Sequence, residues 1–418
     1  MKINNDPVYV RRRRVALAAL IVVLLVIVLC LGKLFGGEDD ASAASAPAAP
    51  APTSAKPTPE PAKVEQPAPK ESKLPEGTAA DPADSTMRRV QRITGELTPK
   101  SVVASPTGQV FAQNMMYTHT VSAFTADGAL HKTISDSVEL ADFGIKGHPG
   151  TSKGAPVEMA FSPDGATAWV SNYSMYGEGF KPEGKDACTG PEATSDSYLY
   201  KIDTATLKIT DVVEVGAVPK YVAATHDGSK VLVTNWCSMD MDVVDTAKGE
   251  VVRTIDLPGK HPRGIAISPD DTVAYVAIMG SDETVKVDLG SGEVSDFATT
   301  GEEPRHLLVS PDGKHLYVSN NGSGTVSEVD AVTGKTVREV RVGAEPRSMA
   351  ISPDGGAIYV GNYASSTVSK IRTEDFEVVQ TEQTDALPIG ITYEPTKKRV
   401  WVASYGGSIV VFDDSRAA

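Results

Sequence analysis

Five cations recur in one sequence context. Lys100, Lys220, Arg263, Arg305 and Arg347 each directly follow a proline at the head of a short apolar segment. Val157 and Ile389 hold the equivalent place after Pro156 and Pro388. Lysine or arginine repeated at one structural position suits recognition of carboxylate or phosphate, arginine in bidentate fashion. Two plainer explanations stay open. Glu303 and Glu345 immediately precede two of these prolines and can pair locally with Arg305 and Arg347. Duplication of a repeat would also copy a basic residue without any ligand.

A second recurring position is aromatic: Tyr173, Trp236, Tyr363 and Tyr405. Aromatic faces beside arginine suit sugar rings or bases through stacking. Wedging neighbouring elements together under the top loops is the alternative role. The residues just before three of them, Asn172, Asn235 and Asn362, and their counterpart Asn320, are expected to cap loops with their amides. Acid–base chemistry has three candidates, Glu158, His261 and His306, because all three fall next to the cationic position. Met175, Met239, Met241 and Cys237 form a possible soft-metal group, although methionine more often packs. The histidines at 119, 131, 148, 226, 261, 306 and 315 share no repeat position, which argues against a multi-histidine metal centre. No H-E-x-x-H, G-x-S-x-G or P-loop motif occurs. Neither a metal nor a cofactor is therefore expected.

These positions acquire meaning from the elements that carry them. A Ser-Pro-Asp-Gly-like turn recurs at Ser105, Ser162, Thr225, Ser268, Ser310, Ser352 and Glu394. Proline pre-sets the first turn position, aspartate bonds the backbone ahead, and glycine takes the left-handed position. A strand follows each turn, among them "TAWVSN", "HLYVSN" and "AIYVGN", and a proline stands before each strand pair. The last five of these prolines (Pro219, Pro262, Pro304, Pro346 and Pro388) are spaced 43, 42, 42 and 42 residues apart. Four alternating strands in about 42 residues, seven times over, predict an all-β, seven-bladed β-propeller. The last unit lacks a fourth strand. The segment from Arg88 to Pro99 matches that strand in pattern, so the N-terminal strand is expected to close the last blade.

The strand endings "YVSN", "YVGN", "WVSN" and "LVTN" after these turns resemble the YVTN-repeat, YncE-like propellers of the bacterial envelope. The resemblance spans 87–418 and departs at "YVAI" (Tyr275–Ile278) and "WVAS" (Trp401–Ser404). It implies an exported propeller. Several proteins of this kind are described as surface-layer or nucleic-acid-binding, and the related lactonase propellers are enzymes.

In such a fold the cationic positions become a ring at the top of the channel-lining strands, able to focus a positive potential. The first two units run 57 and 63 residues, and their excess, about Ser135–Gly154 and Tyr173–Asp196, falls on that top face. Loop length concentrated on one face points to function there. Cys188 and Cys237 lie in neighbouring top loops and are expected to form a disulfide if the domain is outside the cell. Two free thiols are the alternative.

The first 86 residues differ in kind. Lys2 and Arg11 to Arg14 (1–14) precede an apolar run of eighteen residues, Val15 to Gly32, in a segment taken as 15–35. That length suits a transmembrane signal anchor better than a cleaved signal. "ASAASA" at Ala41–Ala46 leaves cleavage open, and Leu29 before Cys30 does not suit a lipoprotein signal. The basic cluster places the N-terminus in the cytoplasm and the propeller outside. Residues 36–86 carry ten prolines and almost no large apolar side chains, the composition of a disordered Pro/Ala-rich linker.

The net charge of −14 argues against nonspecific nucleic-acid binding. The expectation is a monomeric, membrane-tethered binding or scaffold module of the cell envelope, whose partner is an envelope protein, a peptide or an anionic glycan. A lactonase-like hydrolase in the same funnel is the first alternative, single-stranded nucleic-acid binding the second.

Overall fold

The computed structural model describes residues 78–417, except 182, 184, 185 and 189–193. The basic segment, the apolar run and most of the Pro/Ala-rich stretch lie outside the described residues. Among the described residues no helix is long and apolar enough to cross a membrane.

Among the described residues there are seven four-stranded antiparallel sheets, with one extra hairpin of Ser137–Glu139 and Thr151–Lys153. Blades one to six each use four successive strands, and their first strands begin at Ser101, Pro156, Pro219, Pro262, Pro304 and Pro346. Blade seven has Pro388–Glu394, Arg399–Ser404 and Ser408–Asp413, and takes its outer strand from Arg88–Thr94. That strand pairs antiparallel with the last one, from Arg88 opposite Asp413 to Thr94 opposite Ser408. The ring is thus closed by backbone hydrogen bonds between Arg88–Thr94 and the last strand, leaving no open seam among the described residues.

Ordered contacts begin upstream of Met87, where the sequence reading places the domain boundary. Ala80 N donates to Ser415 O at 3.0 Å and Thr86 N to Arg416 O at 2.9 Å. Ser85 accepts from the buried Lys370 ammonium, which also holds Asp414.

The strand sequences explain their depth. Second strands such as His315–Asn320, buried from its second residue on, and Ala357–Asn362, buried throughout, lie between neighbouring blades that cover each face. Outer strands such as Glu377–Gln383 alternate exposed and half-buried residues, with Glu377, Val379, Thr381 and Gln383 outward. Blades three and four share a dry core that includes Leu232, Val243, Ile265, Val276 and Val285.

The recurring turn also locks blades together. Ser310 Oγ donates to Asp312 Oδ1 at 2.6 Å and accepts from His315 N at 3.0 Å. Gly313 adopts φ +72°, and a Cβ there would come within 3.2 Å of Pro269, the turn proline of the preceding blade. Gly165, Gly228 and Gly355 face Pro106, Pro163 and Pro311 in the same way. The proline therefore sets its own turn and seats the next one.

Candidate functional site

The first strands ring the axis, and a bulge shapes what they present. In blades two to seven the pairing with the second strand slips directly after the repeat proline. A bulge sets two successive residues against one on the partner and re-aims their side chains. Both residues after the proline then reach the channel mouth: Val157 with Glu158, Arg305 with His306, Arg347 with Ser348. Lys100, Tyr221, Arg263 and Ile389 complete the lining. The strands crowd at this level. A Cβ on Gly264 would meet Arg305 O at 2.7 Å.

Lys100, Arg263, Arg305 and Arg347 thus share one mouth, with Glu158 and His306 among them. The enclosed space is about 10 Å³, room for roughly one water. Arg347 pairs with Glu345 at 2.7 Å and stacks over Tyr363 at 3.5 Å. Glu303 instead accepts from Asn321 at 2.6 Å and makes no ion pair with Arg305. Among the described residues, Arg263 and Arg305 have no carboxylate within 4.0 Å, although they are only 8% and 7% exposed. Burial and the neighbouring guanidiniums push both below the ordinary arginine value. Arginine does not give up its proton in proteins, so this opposition stays as a cost of holding the charges there.

Glu158 faces these cations. Its Oε1 contacts Ser101 Oγ, which also lies 2.6 Å from Gln113 Oε1. The serine has one proton for two acceptors, so a protonated Glu158 completes the chain. Burial pushes Glu158 up to about 7, against the pull of Ser101 and Arg263. His306 is unlike it. Its Nε2 lies 3.2 Å from the Tyr221 hydroxyl, and burial with Arg263 and Arg305 holds it down to about 3. Near neutral pH Glu158 exchanges a proton and His306 stays neutral. His261 lies outside this mouth, stacked on Trp236 with centroids 4.4 Å apart.

The aromatic positions accompany the cations pairwise. Lys100 lies over Tyr405 at 5.3 Å, and Lys220 over Tyr173 and Trp236 at 4.4 and 5.2 Å. Tyr173 and Trp236 are buried with Ala155, Val157 and Val218, so they also join blades two and three. Tyr363 and Tyr405 are half-buried and meet edge to face at 6.4 Å. The asparagines hold the third strand of their own blade instead of capping a loop: Asn320 Nδ2 donates to Thr325 Oγ1 and Ser327 Oγ at 3.0 and 2.9 Å. Met175 and Met241 lie in separate cores, so no methionine group assembles. Among the described residues no cluster of three or more His, Cys, Asp or Glu side chains suits a metal.

The two long top insertions meet each other. Lys153 N donates to Tyr176 O and Tyr176 N to Lys153 O, at 2.8 and 2.7 Å, and His148 stacks on Phe180 at 3.9 Å. Cys188 and Cys237 are joined by a disulfide with Cα atoms 5.3 Å apart. It fastens the second insertion beside Lys220, which pairs with Asp186 at 2.5 Å. Asp186, Tyr221, Ser101 and Gln113 were not singled out from sequence. Tyr221 and Ser101 follow cationic positions, and only the bulge explains why neighbours share a face.

Two family models match parts of the chain. The 7-bladed β-propeller lactonase model matches residues 187–339, and the cytochrome D1 heme domain model matches residues 291–405. Each covers less than half of the protein. No curated protein matches the sequence. Among solved structures, a chain of Kuenenia stuttgartiensis hydrazine synthase superposes with a TM-score of 0.58 and 19% identity, over 76% of this chain and 96% of that one. That likeness shows the propeller fold alone. The mouth does not fit a heme. The histidines in the matched stretch are His306, bonded to Tyr221, and His315, whose Nδ1 faces Glu328 at 3.2 Å on a second strand. A space of about 10 Å³ has no place for a macrocycle.

Proposed function

We propose that the protein is a membrane-tethered, extracytoplasmic binding propeller of the YVTN-repeat kind, and that the anionic group of a glycan, a peptide or an envelope protein seats over the rim of its top mouth, whose enclosed space holds only about one water. One observation carries this reading: Arg263 and Arg305 are buried on one cavity without an ion pair among the described residues. Burying charges without partners is costly, and a bound carboxylate or phosphate offsets that cost with paired hydrogen bonds. Tyr363 and Tyr405 beside the mouth suit a sugar ring. The tether rests on the apolar run and its arginine flank.

The test is a panel of acidic glycans, peptides and oligonucleotides titrated against the full chain in detergent, beside the triple variant Arg263→Glu, Arg305→Glu, Arg347→Glu. Acidic ligands are expected to bind the wild type and to lose at least a hundredfold in the variant. Equal binding by both removes the ring from the function. Preference for oligonucleotides would favour the nucleic-acid reading, which the net charge of −14 opposes.

A second reading is hydrolysis of a lactone. Glu158, near 7 and facing arginines, supports it, as does the partial lactonase match. Turnover of a lactone panel that disappears in Glu158→Gln would establish it.

A further inference from the structure

The chain itself brings one anion to the top face. Asp186 Oδ1 lies 2.5 Å from Lys220 Nζ, and the Tyr173 hydroxyl donates to the same oxygen at 3.0 Å. Trp236 Nε1 donates to the Asp186 carbonyl at 2.6 Å. Two residues on, Cys188 is bonded to Cys237, the neighbour of Trp236. The two partners differ in depth: the Lys220 side chain is 3% exposed and the Asp186 side chain 66%. A solvent-facing carboxylate on a loop is therefore seated on a buried cation by groups fixed in blades two and three. Its charge also acts on Lys100, Arg263 and Arg305.

Lys220 does not depend on Asp186 alone. Its ammonium lies between the Tyr173 and Trp236 faces, and desolvated cation–π contacts of this kind hold a cation in place. If Asp186 leaves, Lys220 and the Tyr173 hydroxyl remain fixed in blades three and two, and an arriving carboxylate replaces the charge that holds the ammonium up against burial.

We infer that Lys220 and Tyr173 form a carboxylate subsite of the top face, that Asp186 is its tethered resident, and that the disulfide keeps this resident in place. The ligand class follows. It carries at least two carboxylates, one for Arg263 and Arg305 and one that displaces Asp186. A tethered competitor acts at an effective concentration on the order of millimolar, so a ligand's second carboxylate gains only what it wins over Asp186. This rests on the reading of the mouth as an anion receptor.

The experiment uses citrate as the polycarboxylate and acetate as the monocarboxylate, titrated calorimetrically into the full chain in detergent. Asp186→Asn, Asp186→Ala and the double variant Cys188→Ser, Cys237→Ser are compared with the wild type. Citrate is expected to bind about tenfold tighter to Asp186→Asn and Asp186→Ala, and several-fold tighter to the cysteine variant, with acetate little changed. A second readout needs no ligand. Trp169 and Trp401 are 1% and 0% exposed, so iodide quenching of fluorescence reports on Trp236. Quenching is expected to rise in Asp186→Asn and to fall again on adding citrate. Unchanged citrate affinity with unchanged quenching makes Asp186 a plain surface ion pair and overturns the subsite. Citrate binding to neither protein overturns the anion-receptor reading, and the subsite with it. Wild-type binding that Asp186→Asn leaves unaltered overturns the subsite alone.

Discussion

Lys370 Nζ and Asp414 Oδ1 lie 2.9 Å apart, and neither side chain is exposed to water at all. Tyr359 donates to the same carboxylate, and Ser85 accepts from the lysine through its carbonyl at 2.7 Å and its hydroxyl at 2.9 Å. One ion pair thus gathers blade six, the residues after the last strand and the segment before the first. Removing one partner leaves a buried charge uncompensated, which typically costs about 3–5 kcal/mol. Asp414→Asn is expected to destabilise by that order, read as a lowered denaturation midpoint in urea. The double change Lys370→Met, Asp414→Leu is expected to recover much of the loss.

Glu158 gives the protein a pH signature. Its folded-state value of about 7 lies above the ordinary 4.5, so the folded protein keeps a proton that the unfolded chain releases. The linked stability is full below about pH 4.5 and declines as pH rises towards 7, by on the order of 3 kcal/mol. Urea midpoints from pH 4.5 to 8 are expected to fall more steeply for the wild type than for Glu158→Gln. Parallel curves would place Glu158 in a wetter setting than the structure gives it.

The same proton governs the mouth. Protonation of Glu158 removes the carboxylate charge that acts most strongly on Arg263, leaving that of Asp186, and ionised Glu158 restores it. Citrate is expected to bind up to about tenfold more tightly at pH 5.5 than at pH 8, where the factor corresponds to about 1.4 kcal/mol. Glu158→Gln is expected to reduce this dependence to the part set by Lys220, which burial lowers to about 7, and by the last carboxyl of citrate.

Arg305 is expected to trade stability against binding. Among the described residues its Nε has no hydrogen-bond partner, and Nη1 reaches only the Met279 sulfur at 3.7 Å. Replacing buried ionic groups with well-packed apolar side chains of similar volume is often neutral or stabilising by about 1–4 kcal/mol. Arg305→Met is expected to raise the melting temperature while weakening citrate binding. A lowered melting temperature would mean that the guanidinium is well satisfied in solution.

Gly313 tests the lock between turns. Alanine there must adopt φ +72° and press on Pro269 Cδ at 3.2 Å. Strain in the left-handed region is about 1–2 kcal/mol per residue. Gly313→Ala is expected to lose at least that much, and pairing it with Pro269→Ala is expected to lose less than the sum of the two single changes.

Much of this architecture could be read from the residues, because proline spacing and strand alternation fix which segments pair. The blade count, the closure by Arg88–Thr94 and the shared mouth of Lys100, Arg263, Arg305 and Arg347 follow from radial repetition. What could not be read depends on departures from the repeat. The slip after each proline turns Tyr221 and Ser348 towards the axis against simple alternation. Asp186 belongs to an insertion with no counterpart in other blades, so no periodicity points to it. Glu345 pairs with Arg347 whereas Glu303 turns to Asn321, although both precede a repeat proline. Asn321 is the difference: the equivalent residue in blade six is Tyr363, which takes the arginine instead of the carboxylate.

The slip has a wider consequence for how such a molecule changes. The residue it frees, such as Arg305 or Arg347, has no cross-strand partner, so altering it leaves the sheet's hydrogen bonding untouched. Each blade can therefore be re-addressed at the axis by local edits while the scaffold remains the same, and proteins with this architecture can diverge in what they hold without refolding what holds it.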